Sequence, residues 1–521
     1  MNAKFLTCAA PLVLSVMLSG AAFAQPQAGP PVEAAKEARE PLPVPAPKSF
    51  VTKHEVTIRG QRIRYTATAG ETYLSNMRGK PVGSIFSFSY VKDGPADPNR
   101  PVMFVFNGGP GSSSIWLHMG IVGPKRVVLD REVNPSNLPP FGLRDNPYSA
   151  LDVADLVFID PIGTGFSQAI GEGRNEDFYS VDDDADSVAQ FIELWLTKNN
   201  RWASPKFVMG ESYGSIRASV LPRALMGGVN YAGVMRGITL NGVILLGTTI
   251  GGPPGSRELP RGYDGPEMNT ALSLPALAAT AWYHNKIDRK GQSLEAFDKE
   301  VTDFATKDYF AALKKGDALP EAERTRILTQ LSAYTGLPAE AFPKDLKIQL
   351  LPMANKLLAD KGLNVGAYDS RYTLPSSKSM GDAVADDPAM GLYVPGFVAA
   401  FHTLMSRDLK IEMGRPYYSI NWKDLAFKWN YKRAGTPPGA AYADELVTGM
   451  RRTPGMKVLV ASGYYDLVTT PAAARYQLEK ADPPKDRVQF KAYESGHMLY
   501  LGETAEAFAN DVRGLIASAS K

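Results

Sequence analysis

Chemistry in this chain concentrates around one serine. Gly210-Glu211-Ser212-Tyr213-Gly214 follows the apolar Phe207-Val208-Met209 and precedes a stretch of helical pattern. A serine between small residues at a strand-to-helix turn sits on strained backbone, where neighbouring Cβ atoms would collide. There its hydroxyl projects above a sheet, and the helix N-terminus aims amide donors at developing negative charge. The pattern points to a nucleophile. A second glycine-rich loop, Asn107-Gly108-Gly109-Pro110-Gly111, directly follows the apolar run Pro101–Phe106. Such a loop can bring an amide N–H close to a substrate carbonyl, half of an oxyanion hole; the amide of Tyr213, after the nucleophile, would be the other half.

The elements that must position these loops are legible in outline. His54–Ile58 and Arg62–Thr68 alternate around Arg59-Gly60-Gln61 and predict a hairpin, with a third strand over Ser84–Val91. Then strands and helices alternate: strands at 101–106, 154–159, 207–209, 238–246 and 457–461, helices at 180–199, 215–226 and 504–517. An antiparallel start followed by β-α-β alternation predicts an α/β protein with a mixed, mostly parallel sheet flanked by helices. Between residues 252 and 440 the alternation gives way to an Ala-, Leu- and Lys-rich, Pro-broken helical pattern, read as a cap inserted between core segments 49–251 and 441–521. None of the catalytic chemistry is expected from it.

Composition narrows the partners. Lys and Arg number 57 against 54 Asp and Glu, so nothing calls for a nucleic-acid partner. Residues 1–24 read as a signal peptide: Lys4, an apolar stretch, then Ala22-Phe23-Ala24 before Gln25. The expectation is a periplasmic or secreted protein with no membrane association once the signal is cleaved. Residues 25–48 form a Pro-rich leader with little to bury. The single cysteine, Cys8, lies in the signal, so the remaining chain has no thiol nucleophile, disulfide or Cys-ligated metal.

Five segments carry a resemblance: NGGPGSSS at 107–114, NPYS at 146–149, DPIGTGFS at 160–167, GESYG at 210–214 and SGHM at 495–498. In this order they resemble the serine carboxypeptidase family of the α/β-hydrolase superfamily. The resemblance implies an α/β-hydrolase fold and a triad of Ser212, Asp466 and His497. His497 follows the strand-like Val488–Tyr493, and Asp466 follows the strand Lys457–Ala461, giving the order Ser…Asp…His of α/β-hydrolases. Asp482 and Asp486 compete for the acid's place but have no strand before them, and His54, His118, His284 and His402 read as packing or surface residues. The resemblance further implies that Gly109 and Tyr213 amides hold the oxyanion, and that Asn107, Gly108 and Glu211 bind the carboxylate of a peptide substrate. It requires no metal and no cofactor.

One departure bears on substrate. The family's second acid, in an ELGP stretch, is replaced here by Ile121 in Ile121-Val122-Gly123-Pro124, and a family tryptophan is replaced by Val105. A lone Glu211 must be protonated to donate to a carboxylate. An esterase or acyltransferase using the same triad is therefore the alternative reading.

Overall fold

A computed structural model describes residues 40–520, apart from 229–232, 253–259, 261, 377–381, 383, 426, 434 and 438. The signal peptide expected at residues 1–24, and residues 25–39 of the expected leader, lie outside the described residues. Nine principal strands build one sheet: β1 (Ser49–Ile58), β2 (Gln61–Ser75), β3 (Pro81–Lys92), β4 (Val102–Phe106), β5 (Asp155–Ile159), β6 (Lys206–Glu211), β7 (Gly242–Leu246), β8 (Lys457–Gly463) and β9 (Val488–Tyr493). Their spatial order is β1-β2-β3-β5-β4-β6-β7-β8-β9, with a two-residue strand at Gln168–Ala169 added beside β3. Pairing is antiparallel from β1 through β5 and parallel from β5 to β9. This is the α/β-hydrolase arrangement the sequence predicts.

Burial explains the strand sequences. The central strands β4, β5 and β7 are buried at every position, as a parallel sheet covered on both faces requires. At the sheet margin β2 alternates buried and more exposed residues over much of its length, reading as a half-covered strand. It runs to Ser75, well past the expected Thr68, because Gly70 to Leu74 continue to pair with β3. Conversely, β7 starts at Gly242 rather than Ile238: Asn241 takes the Lys206 carbonyl, and only then does the ladder with β6 begin.

Two apolar layers sandwich the sheet. On one face lie α1 (Val181–Lys198), α2 (Tyr213–Met226) and α4 (Tyr442–Arg452). On the other lie α3 (Pro388–Thr403) and the closing helix α5 (Ala505–Ala519). The start of α1 is fixed by Ser180, whose hydroxyl accepts from the Asp183 amide at 3.0 Å, with Asp182, Asp183 and Asp184 in the first turn favouring the positive helix end. Although α3, with the turn that continues it to Asp408, is long and apolar enough to cross a membrane, half of its apolar window is buried in the protein, where it serves as a core helix. Residues 268–365, joined by Tyr464, Tyr465 and Leu467, build a third apolar cluster, and a short two-stranded piece (Leu363–Val365 with Thr373–Pro375) interrupts the helical pattern. Residues 40–48 are exposed yet tethered, the Leu42 amide donating to the Gly171 carbonyl at 2.7 Å.

Register decides what the sheet can present. Phe106 aligns with Gly210, Glu211 with Leu246, Leu246 with Ala461, and Gly463 with Tyr493. The chain therefore leaves β4, β6, β7, β8 and β9 at one edge, the carboxyl edge where open α/β sheets hold their ligands.

Candidate active site

Ser212 occupies the first of these exits, and its backbone shows the strain of the turn. It has φ +60° and ψ −128°, a conformation non-glycine residues rarely adopt, and it directly precedes α2. The flanking glycines are sterically required. A Cβ on Gly210 would stand 2.1 Å from the Gly214 carbonyl oxygen. One on Gly108 would stand 2.4 Å from the Tyr213 amide nitrogen, so the glycine loop is pressed against the serine turn. Behind the turn, Arg217 donates to Asp184 Oδ2 at 2.7 Å and to the Asn107 carbonyl at 2.8 Å, while the Tyr213 hydroxyl also reaches Asp184 at 3.2 Å. This buried network ties the two loops to α1.

The exit after β8 carries Asp466, fully buried, and the exit after β9 carries His497. His497 Nδ1 and Asp466 Oδ2 are 2.7 Å apart. The other carboxylate oxygen accepts the amides of Val468 (2.8 Å) and Thr469 (2.9 Å), and the Thr469 hydroxyl donates to Oδ2 at 2.5 Å. These bonds hold the carboxylate in place, and through it the orientation of the imidazole. Burial works against a charged His497, but the Asp466 charge and hydrogen bond, then Glu211 and Asp387, outweigh it and raise its pKa. Asp482 and Asp486, the competing acids, lie exposed.

Ser212 and His497 line one cavity of about 60 Å³. Consecutive residues of the chain leaving β7 set their distance: the Leu246 carbonyl accepts the Ser212 amide at 2.9 Å, and a Cβ on Gly247 would stand 2.8 Å from His497 Cε1. No hydrogen bond joins the Ser212 hydroxyl to the ring in this state. Such contacts tighten on substrate binding in many hydrolases. Gly108 and Gly109 line the same cavity, with Gly109 at φ +104°. Among the described residues, the Gly109 and Tyr213 amides meet no protein acceptor. His118 and His284 instead contact the Tyr90 hydroxyl and the Ser370 carbonyl, His54 lies on β1, and exposed His402 lies on α3.

Asn107 and Glu211 form the cavity's polar floor. Asn107 Nδ2 donates to Glu211 Oε1 at 2.9 Å, and Asn107 Oδ1 accepts the Leu117 amide at 3.1 Å. Burial pushes the Glu211 carboxyl up to about 7, a rise restrained by positive charge on His497 and by the Tyr500 hydroxyl. Ile121, in the missing acid's stretch, is buried in the apolar layer.

Two contributors escaped the sequence reading. The first is Tyr500, fully buried, whose ring lies so close to Gly120 that a Cβ there would stand 2.2 Å from it. Its hydroxyl is near enough to Glu211 for each to shift the other's ionisation, although neither the hydroxyl nor Glu211 Oε2 makes a hydrogen bond of regular geometry to protein. No local pattern marks a tyrosine three positions after His497. The second is the hold that Tyr368 and Arg371, from residues 252–440, take on the histidine loop. The His497 amide donates to the Tyr368 carbonyl at 2.6 Å, the Tyr368 ring packs edge-on to the imidazole, and Arg371, paired with Asp369, donates to Ser495 Oγ at 3.0 Å. Farther along, the Asn421 amide donates to the Gly111 carbonyl at 2.7 Å, and Tyr393 and Trp422 wall the cavity.

The other quoted motifs work as ties. Asp160 accepts the amide (2.9 Å) and hydroxyl (2.8 Å) of Ser114, joining the DPIGTGFS turn to the glycine loop. Asn146 Nδ2 donates to the Ile121 and Gly123 carbonyls at 2.6 and 2.7 Å. Among the described residues, no group of three or more His, Cys, Asp or Glu side chains converges as a metal site.

Comparison with known proteins finds similarity over part of the chain. Residues 77–251 match the family model described as serine carboxypeptidase. Serine carboxypeptidase-like 5 of Arabidopsis thaliana is 29% identical over 160 residues, covering 30% of this chain and 35% of that protein. Serine carboxypeptidase-like 36 of the same plant is 27% identical over 225 residues, covering 42% and 41%. Pheromone-processing carboxypeptidase KEX1 of Leptosphaeria maculans is 32% identical over 148 residues, covering 28% and 21%. The chain thus spans between a fifth and about two-fifths of the lengths of these relatives. Over residues 77–251, which hold both glycine loops, the chain is similar to the serine carboxypeptidase family.

Proposed function

We propose that this protein is a serine-type carboxypeptidase that removes C-terminal residues from peptides through an acyl-enzyme on Ser212. The observation that carries the reading is the union, in one small cavity, of Ser212, of His497 with Asp466 bonded to its ring, and of the buried Asn107–Glu211 pair. His497 Nε2 takes the Ser212 proton as Oγ attacks the scissile carbonyl, and Asp466 holds the imidazole and stabilises its charged form. The developing oxyanion is held by the Gly109 and Tyr213 amides. His497 then protonates the leaving amine, and water, activated by the same base, releases the acyl group.

Asn107, Gly108 and a protonated Glu211 hold the substrate's terminal carboxylate. Asn107 donates to Oε1, which leaves Oε2 for the proton. The second reading, an esterase or acyltransferase, is supported by Ile121 in the position of a second acid, since fold and triad do not select the leaving group. We further propose that residues 252–440 act as a cap, gripping the histidine loop and the glycine loop, and that residues 1–24 direct the protein to the periplasm or outside the cell.

Product mass spectrometry on a mixed peptide pool tests the function: residues should leave singly from the C-terminus. A blocked dipeptide should be cleaved far faster than its C-terminal amide, and equal kcat/KM for the two would remove exopeptidase action. Ser212→Ala should lower kcat by roughly 10³-fold or more, because the triad acts as a unit.

A further inference from the structure

A second pocket, of about 170 Å³, lies apart from the catalytic cavity and shares none of its lining residues. It is bounded by a small hairpin, Lys125–Val128 with Gly142–Asp145, and by Leu501 and Gly502, four and five residues after His497. Its volume far exceeds the ~10–15 Å³ that one water needs. Arg126, Arg131 and Arg144 line it, against a single acid, Glu132.

The charges are arranged as if something is needed between them. Arg126 and Arg144 face each other as cross-strand partners in the hairpin, an arrangement that like charges make unfavourable. Arg126 is only 7% exposed, and its Nε is buried with no protein partner among the described residues. Its guanidinium stacks over the Tyr148 ring at 5.3 Å, which orients it without neutralising it. Guanidinium stays charged at any physiological pH, so burial without a counter-charge is a standing cost.

The nearby acids are engaged elsewhere. Glu132 Oε1 accepts the Glu503 amide at 3.0 Å and faces Arg371 at 3.9 Å, and Asp145 pairs with Lys125 at 2.5 Å. A planar guanidinium fork with open donors is suited to a tetrahedral or planar oxyanion.

We infer that this arginine pocket binds a small doubly charged oxyanion, phosphate or sulfate, free or as the end group of a phosphate monoester. Binding supplies the missing counter-charge to Arg126 and Arg144. It also rests against the chain that continues from His497 and Tyr500. The inference is independent of the proposed peptidase activity, because its readout is binding.

Isothermal titration and thermal unfolding with sodium phosphate, sodium sulfate and glycerol 3-phosphate, each against sodium chloride at equal ionic strength, test it. The full-length protein should bind at least one of the three saturably and gain a few degrees in Tm; glycerol 3-phosphate binding alone would identify a monoester site. Arg126→Gln should abolish the effect and the exposed Arg144→Gln should weaken binding about tenfold. If Arg126→Gln does not fold, Arg144→Gln alone decides. Stabilisation by chloride equal to that by the oxyanions, or wild-type affinity in the folded variants, overturns the inference.

Discussion

Glu211 is the side chain whose protonation the proposed function needs. Its carboxyl, pushed by burial to about 7, is neutral below that pH and can donate to a substrate carboxylate; above it, two carboxylates would repel. KM for a blocked dipeptide should therefore climb as pH passes from about 6 to 8, while KM for a neutral aryl ester should stay level. Glu211→Gln, a permanent neutral donor, should flatten the dipeptide profile. Tyr500 tests the same idea from outside the floor. Its hydroxyl favours the ionised form of Glu211, so Tyr500→Phe, which keeps the ring on Gly120, should raise the carboxyl's pKa and move the climb in KM to higher pH. Steady-state kinetics across pH 5–9 reads both effects, and superimposable profiles for wild type and both variants would contradict the assignment.

At the scale of elements, the site depends on how closely loops from different strands approach. Gly108 illustrates this: an added Cβ would meet the Tyr213 amide nitrogen at 2.4 Å, the Glu211 carbonyl at 2.6 Å and the Gly214 amide at 2.7 Å, all backbone that cannot step aside cheaply. Gly108→Ala should separate the glycine loop from the serine turn and lower kcat/KM about 100-fold, the scale of a 1 Å misplacement. A fold that survives with unchanged kcat/KM would show the two loops to be uncoupled. The same distinction between local and distant contacts explains what the sequence disclosed. Ser212, Asp466 and His497 follow strands whose apolar runs are readable, so the order of their loops is legible in the sequence itself. The grip of Tyr368 and Arg371 on the histidine loop is not: Arg371 and Ser495 are 124 residues apart, and nothing near either marks the pairing. Strand ends shifted for a related reason, since the length of β2 and the late start of β7 are decided by ladder partners elsewhere in the chain.

For the whole molecule, buried ionisable groups set opposing pH dependences of stability. Burial raises Asp160 and Asp298 to about 6 and Glu211 to about 7. The folded chain then holds protons that the unfolded chain releases, so these groups lower stability as pH rises from their ordinary values toward 6–7. His497, with its raised pKa, acts in the same direction at higher pH: its contribution is full below about 6.5 and is lost as pH climbs through the folded value. His118 opposes them. Burial depresses it to about 3, its ring stacked on Phe158 at a 4.0 Å centroid distance, so the folded chain refuses a proton that the unfolded chain accepts. Its contribution is present above the unfolded value near 6.5 and is lost as pH falls toward 3, with a limiting slope of about 1.4 kcal/mol per pH unit. His118→Phe keeps an aromatic ring among Phe88, Phe158 and Phe401 and removes the titration. Relative to wild type, this variant should gain stability steadily as pH falls from 6.5 to 4.5, measured as the difference in urea-unfolding free energy at each pH. A constant offset across that range would mean that His118 accepts a proton in the folded protein, and that the aromatic layer over the sheet is open to water.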